Sequence, residues 1–130
     1  MQALGPTADE APLGTGVVDR FTLDDVVLDR FVTGDIANNV ASPWGVVEAP
    51  DNWGAFANAI LIGNFSEEDG FINAFAKHGS YLGMPMAGVD PLNIPYLWAL
   101  GTRADGSGLI RVWSFSPRVS VTRNMVCSGN

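Results

Sequence analysis

The apolar residues of this chain fall into short runs with no sustained 3.6-residue period. Gly and Pro are scattered between the runs, so the pattern predicts strands and rejects long helices. The longest apolar run, Ala59-Ile60-Leu61-Ile62, has the length of a strand. Three runs share one form, in which a Gly leads into a strand closed by an aromatic five residues on. Gly16 leads to Phe21, Gly70 to Phe75 and Gly108 to Trp113. In 71–75, Phe71, Asn73 and Phe75 share one face while Ile72 and Ala74 share the other. Both faces are largely apolar, which fits a sheet covered on both sides better than one with a wet face.

The elements follow in order. A hairpin is predicted from strands 17–23 and 26–32 around Asp24-Asp25. After a linker, Pro43 opens a strand over 42–49, since its missing N–H costs little at a strand start. A loop over 50–58 holds Trp53 and Phe56. Strand 59–65, a turn at 66–70, strand 71–76, a turn at His78-Gly79 and strand 80–83 complete a four-stranded unit. The unit begins again after a linker over 84–93. Strand 94–101 mirrors the Pro-Trp strand, a turn-rich loop occupies 103–108, strand 109–115 follows, and 118–126 reads as a final strand. Only about ten residues separate Trp98 from Gly108, so the equivalent of strand 59–65 is expected to be missing or merged there.

Repeats at this scale point to β-propeller blades. The expected fold is all-β: a partial β-propeller of about two to three blades of antiparallel sheet, not closed as a single chain. Residues 1–15 form an N-terminal arm or loop. Residues 16–130 form the blade domain, with a partial blade at 16–34, a full blade at 42–83 and a partial blade at 94–126. A closed propeller takes at least four blades of about 40–45 residues, so the chain is expected to be a fragment or to associate.

Composition narrows the function classes. With 130 residues, 47% apolar and 16% charged, the chain is long and apolar enough for one packed domain. The net charge is −7, unevenly spread. Residues 1–100 hold thirteen acids and three bases, whereas 101–130 hold one acid and four arginines. The acidic bulk argues against nucleic-acid binding, and the basic end suits either a solvated strand pair or docking onto an acidic face of a neighbouring copy. The single cysteine, Cys127, cannot form an internal disulfide. Met1 to Gly16 has no basic or apolar signal-peptide region, and no stretch reaches the length of a transmembrane helix.

No residue set announces a reaction. His78 is the only histidine and reads as a turn residue; without a second His or a nearby Cys there is no zinc or copper ligand set. No Gly-x-Ser-x-Gly elbow accompanies it, and none of Gly16, Gly70, Gly101 and Gly108 leads into a Lys-Ser/Thr phosphate loop. Glu67, Glu68 and Asp69, with Asn64, are weak Ca²⁺ candidates, because consecutive acids point in different directions. Trp44 and Trp98 stand at equivalent places, as do Phe75 and Trp113, and such repetition reads as blade packing. Trp53 and Phe56 lie outside the repeat core and, with Asn64, are the candidate contact residues for a glycan, peptide or neighbouring subunit. No cofactor is expected.

Ser42-Pro43-Trp44-Gly45-Val46, the run Trp53 to Phe65 and Phe71-Ile72-Asn73-Ala74-Phe75 together resemble the C-terminal part of a largely uncharacterised bacterial β-propeller family, related to NHL-repeat and YncE-like propellers. The resemblance is good over roughly 14–83, looser over 84–115 and absent beyond. Members are longer and usually exported, so it implies an extracytoplasmic place, although no export signal is visible here. Members also carry Asp where this chain has Ala76, and they supply no catalytic set. The expected function is a non-catalytic binding or assembly module that associates with further copies or with a partner protein completing the sheet or ring. The alternatives are a truncated piece of a propeller lyase or hydrolase, and a structural subunit of a larger complex or filament.

Overall fold

The computed structural model describes residues 12–66, 68–103, 108–115 and 120–125. Most of the expected arm, Glu67, Arg118 and Cys127 lie outside the described residues. Eleven strands follow in order: β1 (Val17–Phe21), β2 (Val27–Thr33), β3 (Pro43–Glu48), β4 (Ile60–Asn64), β5 (Ile72–Phe75), β6 (Tyr81–Gly83), β7 (Met86–Ala87), β8 (Asp90–Pro91), β9 (Leu97–Thr102), β10 (Ile110–Phe115) and β11 (Ser120–Met125). A single 3₁₀ turn, Gly54–Phe56, is the only helical element among the described residues. The fold is all-β. Its antiparallel sheets, β1-β2, β3-β4-β5-β6, β7-β8 and β9-β10-β11, are none of them closed into a barrel, an arrangement consistent with a partial propeller-like fold.

The four-stranded sheet is the middle of a stack, and strand alternation divides its side chains between two neighbours. Leu61, Ile72 and Ala74 point to one side, where Leu97, Leu100, Ile110 and Val112 of the β9-β10-β11 sheet meet them. Ile62 and Phe75 point to the other side and pack with Val32 and Val40, flanked by Val18 and Phe31 of the β1-β2 hairpin. The two-faced apolar pattern of 71–75 therefore has its cause: both faces of β5 are buried.

The two larger sheets approach most closely along their edge strands β3 and β9. Gly45 makes this approach geometrically possible. A Cβ there would sit 3.1 Å from the Leu100 amide nitrogen and 3.2 Å from Ala99 Cα, and a backbone neighbour yields little. Gly70 is tighter still, its missing Cβ falling 1.9 Å from the Ile94 carbonyl oxygen, while the Ile94 N–H donates to Gly70 O at 2.9 Å.

The strand pairing corrects the repeat alignment. Gly70 leads into β5, the third strand of its sheet, whereas Gly108 leads into β10, the second strand of its own. By position β10 takes the place of β4, so the strand expected to be missing is present. Trp113 lies opposite Ala99 as Gly63 lies opposite Gly45, so Trp113 corresponds to Gly63 and not to Phe75. The spacing from Gly to aromatic reports the length of a strand and its turn, which second and third strands share. The linker over 84–93 also carries the short β7-β8 pair.

Buried polar side chains tie loops to this stack. Asn64, fully buried, accepts the Ala41 N–H at 3.1 Å and donates to Asn39 O at 2.9 Å, joining β4 to the 33–41 linker. Asn73 is equally buried and accepts from the Tyr81 hydroxyl at 3.2 Å. Burial, followed by the nearby Asp35 charge, pushes the Tyr81 phenol above its ordinary range.

Two outcomes follow. Gly70→Ala destabilises the chain by about 1–3 kcal/mol or more in urea unfolding, because backbone must move to admit one methyl. A phenol whose folded pKa is raised favours folding while protonated, and that contribution is lost as pH rises from the ordinary tyrosine range through the folded value. Stability measured by denaturation therefore falls above pH of about 10, and Tyr81→Phe removes that part of the alkaline loss.

Candidate functional site

Two strands present the same device. On β3, Ser42-Pro43-Trp44 begins with Ser42 at φ 45°; on β9, Tyr96-Leu97-Trp98 begins with Tyr96 at φ 58°. Positive φ is uncommon for residues with a Cβ and costs about 1–3 kcal/mol, so it persists where packing over-determines it. Each tryptophan then occupies a break in register. Pro43 pairs with Asn64 and Gly45 with Gly63, leaving Trp44 as the extra residue. Leu97 pairs with Ser114 and Ala99 with Trp113, leaving Trp98 extra. A bulge re-aims the side chain it carries.

The consequence is an aromatic cluster at the seam of the two sheets. The Trp44 and Trp98 rings are 4.9 Å apart at 40°, and Phe65 sits 5.7 Å from each. Tyr96 flanks Phe65 at 5.9 Å. Ring pairs at such tilts and distances add about 0.5–1.5 kcal/mol each beyond their burial. Yet Trp44 remains 56% exposed and Trp98 44% exposed, so much of both indoles faces solvent. Ser42, Pro43, Trp44, Phe65 and Trp98 line a cleft of about 390 Å³. Its walls are mainly aromatic and carry no acid or base side chain among the lining residues.

A second cleft, about 540 Å³, opens between the hairpin and β3. Val18, Phe31, Val46 and Ile60 give it apolar walls, and Asp19, Arg20, Glu48 and Lys77 give it charge. The charges are mutually satisfied. Arg20 holds Asp29 with two hydrogen bonds, Nε to Oδ1 at 2.8 Å and Nη2 to Oδ2 at 2.6 Å. Arg30 pairs with Asp19, and Lys77 lies 3.1 Å from Glu48. The Arg20 hydrogen bonds hold the Asp29 carboxyl below its ordinary range. Arg20 also lies over the Phe31 ring, 5.0 Å from its centroid.

The residues singled out in the sequence are not gathered into either cleft. Trp53 is buried in the core between the two larger sheets, and its indole N–H donates to Gly108 O at 2.8 Å. It is a packing residue beneath the loop, not a ring displayed on it. Phe56 is half-buried on the 3₁₀ turn and packs against the same core. Asn64 spends its amide on the linker and turn backbone, leaving it inside the fold. Glu67 lies outside the described residues. The Glu68 and Asp69 amides both donate to Ser66 Oγ, at 3.2 and 3.1 Å, and Asn93 clasps the turn by accepting from Gly70 N–H and donating to Glu68 O. Among the described residues no three His, Cys, Asp or Glu side chains converge as a metal site. His78 is exposed, with Nε2 2.7 Å from Ser80 Oγ.

Phe65 and Tyr96 were not signalled by sequence, and Trp44 and Trp98 were read only as packing. The usable signal was the repeated order of a Trp followed by a small residue, in Trp44-Gly45 and Trp98-Ala99.

Comparison with known proteins corrects the expected resemblance. No family model matches the chain, and no solved structure matches it. It is similar to three uncharacterised proteins of Acanthamoeba polyphaga mimivirus: L690, 36% identical over 74 residues, R640, 33% over 69, and R648, 34% over 70. These stretches cover 57%, 53% and 54% of this chain but 18%, 12% and 16% of the viral proteins, so the chain spans less than a fifth of the length of each. The bacterial NHL- and YncE-like assignment is therefore not supported. Its motifs, a Pro at a strand start, a Gly at a close approach and a closing aromatic, are what stacked antiparallel sheets need in general.

The geometry separates the tryptophans by role. Trp53→Ala costs about 3–5 kcal/mol in chemical denaturation, the range for a buried large aromatic. Trp44→Ala costs less, about 1–3 kcal/mol, since most of what it loses is its two ring pairs with Phe65 and Trp98. Equal losses would mean that Trp44 is held for packing alone.

Proposed function

We propose that the chain is a non-catalytic assembly module built of propeller-type blades, which associates with further copies or with another protein. The observation that carries this reading is the apolar surface exposed on and beside the hairpin. Val46, on the hairpin side of β3, is 52% exposed. The hairpin exposes Val17, Phe21, Val27 and Leu28 as well. Exposed apolar side chains of this kind, next to a two-stranded sheet whose β1 edge pairs with no further strand among the described residues, are what an association surface presents. The chemistry of the clefts supports recognition: one is lined by rings without titratable groups, the other by charges already paired.

Sedimentation velocity over a wide concentration range tests the reading. The expected outcome is a particle heavier than one chain, with a weight-average mass that falls on dilution. A well-folded monomer at every concentration overturns it.

A further inference from the structure

We propose that the open face of Trp44, in the aromatic cleft, binds an arginine side chain carried on a basic segment of another protein. The site stands on its own geometry and charge, apart from the assembly reading.

Trp44 is both fixed and open. It occupies the extra position of a bulge, two residues after Ser42 with its positive φ. Strain of that kind is retained where the surrounding structure fixes it, and it gathers at contact sites. Here it accompanies an indole that Trp98 and Phe65 back at 4.9 and 5.7 Å, yet that stays half exposed. A ring already held in place loses little freedom when a ligand stacks on it. Among the described residues no Lys or Arg stands over it, although the chain makes that contact twice elsewhere. Arg20 lies over Phe31 at 5.0 Å and Arg111 over Trp113 at 5.9 Å.

Charge selects a cation. Indole faces attract positive charge through their quadrupole, and no base lines the cleft to compete for them. Phe65, which lines the cleft, is followed by Ser66 and then by Glu-Glu-Asp at 67–69. That turn is pinned beside the rings, because the Tyr96 N–H donates to Ser66 O at 2.7 Å. Glu68, exposed, lies three residues from Phe65, so its Cα is within about 11 Å of the Phe65 Cα. A segment seated on the cleft therefore meets the acidic turn as well. Shape selects the kind of cation. Ring centroids 4.9–5.9 Å apart leave no slot between the rings for a compact quaternary ammonium, which is held by rings on several sides. A flat guanidinium stacks on one open face and sheds its water more readily than an ammonium. A sugar fits poorly, since hydroxyl recognition needs converging polar groups and Ser42 supplies the only polar side chain in the lining. Arg20, Arg30 and Arg111 are already engaged within the chain, so the guanidinium is assigned to another protein.

The test titrates the full chain with three short Gly-spaced peptides of equal length that carry arginine, lysine or uncharged citrulline, and follows the tryptophan indole N–H signals by NMR. The arginine peptide is expected to shift the Trp44 signal and to bind at least about fivefold tighter than the lysine peptide, with citrulline not binding. Trp44→Leu is expected to weaken binding at least about tenfold, and Trp44→Tyr, which keeps a ring, to restore part of it. Glu68→Gln combined with Asp69→Asn is expected to weaken binding at low salt and to match the wild type at high salt. The peptide comparison on the wild type needs no variant, so it decides even where Trp44→Leu does not fold. Equal binding of the arginine and lysine peptides with no Trp44 dependence would reduce the site to general acidic attraction and overturn the proposal. Citrulline binding as well as arginine, or no binding of the arginine peptide, overturns it too. Self-association of the wild type that Trp44→Leu abolishes would put a second copy on this face and overturn the assignment to another protein. A chain that stays monomeric alone yet binds the arginine peptide through Trp44 overturns self-assembly and leaves this site standing.

Discussion

The close approach of the β3 and β9 backbones is the constraint on which the rest of the structure depends. It requires that Gly45 carry no side chain and that Gly63 leave room for Leu97. Once the strands meet, Leu97, Leu100, Ile110, Leu61 and Ile72 close into one core with Trp53 beneath the loop. Full burial of a large aliphatic side chain contributes about 1.5–3 kcal/mol. A handful of them is comparable with the whole net stability of a domain, about 5–15 kcal/mol. The same approach brings two bulged tryptophans to 4.9 Å from one another. Packing and display therefore have one origin: the seam that buries the leucines on one side is the seam that exposes the indoles at its mouth.

The strands themselves were legible. Short two-faced apolar runs bounded by Gly and Pro placed the hairpin, the four strands of the middle sheet and the two strands before 116 close to where they lie. Sheet order was not legible. The segments after Gly70 and Gly108 look alike because each is a short strand behind a constrained glycine, and nothing local tells a second strand from a third. Long-range polar bonds were equally silent. Trp53 sits in a loop by every local sign, yet its N–H is taken by a carbonyl 55 residues away. Asn64 reads as a polar loop neighbour, but its partners in the 39–41 segment draw it inside. Ser42 and Tyr96 carry no Gly or Asn signature, so their left-handed backbone could be found only in the fold.

The site followed the same rule. Trp53, chosen for lying outside the repeat, serves the core from beneath, while of the residues chosen as repeat packing Phe75 is buried and Trp44 and Trp98 stand at the surface. Aromatic identity says that a side chain has a large apolar face; whether that face meets leucine or water is decided by a bulge and a backbone angle. In this chain both decisions are taken twice, once per sheet, which is why the cluster is orderly and not a scatter of exposed rings.

The hairpin holds a further consequence. β1 and β2 carry the same Asp-Arg dipeptide, at Asp19-Arg20 and Asp29-Arg30, and the strands run antiparallel so that Asp19 faces Arg30 and Arg20 faces Asp29. A slip of one residue would set Asp against Asp or Arg against Arg, and like charges directly opposite are unfavourable. The duplicated dipeptide is therefore an alignment key: of the pairings open to two similar strands, only the observed one is electrically neutral rung by rung.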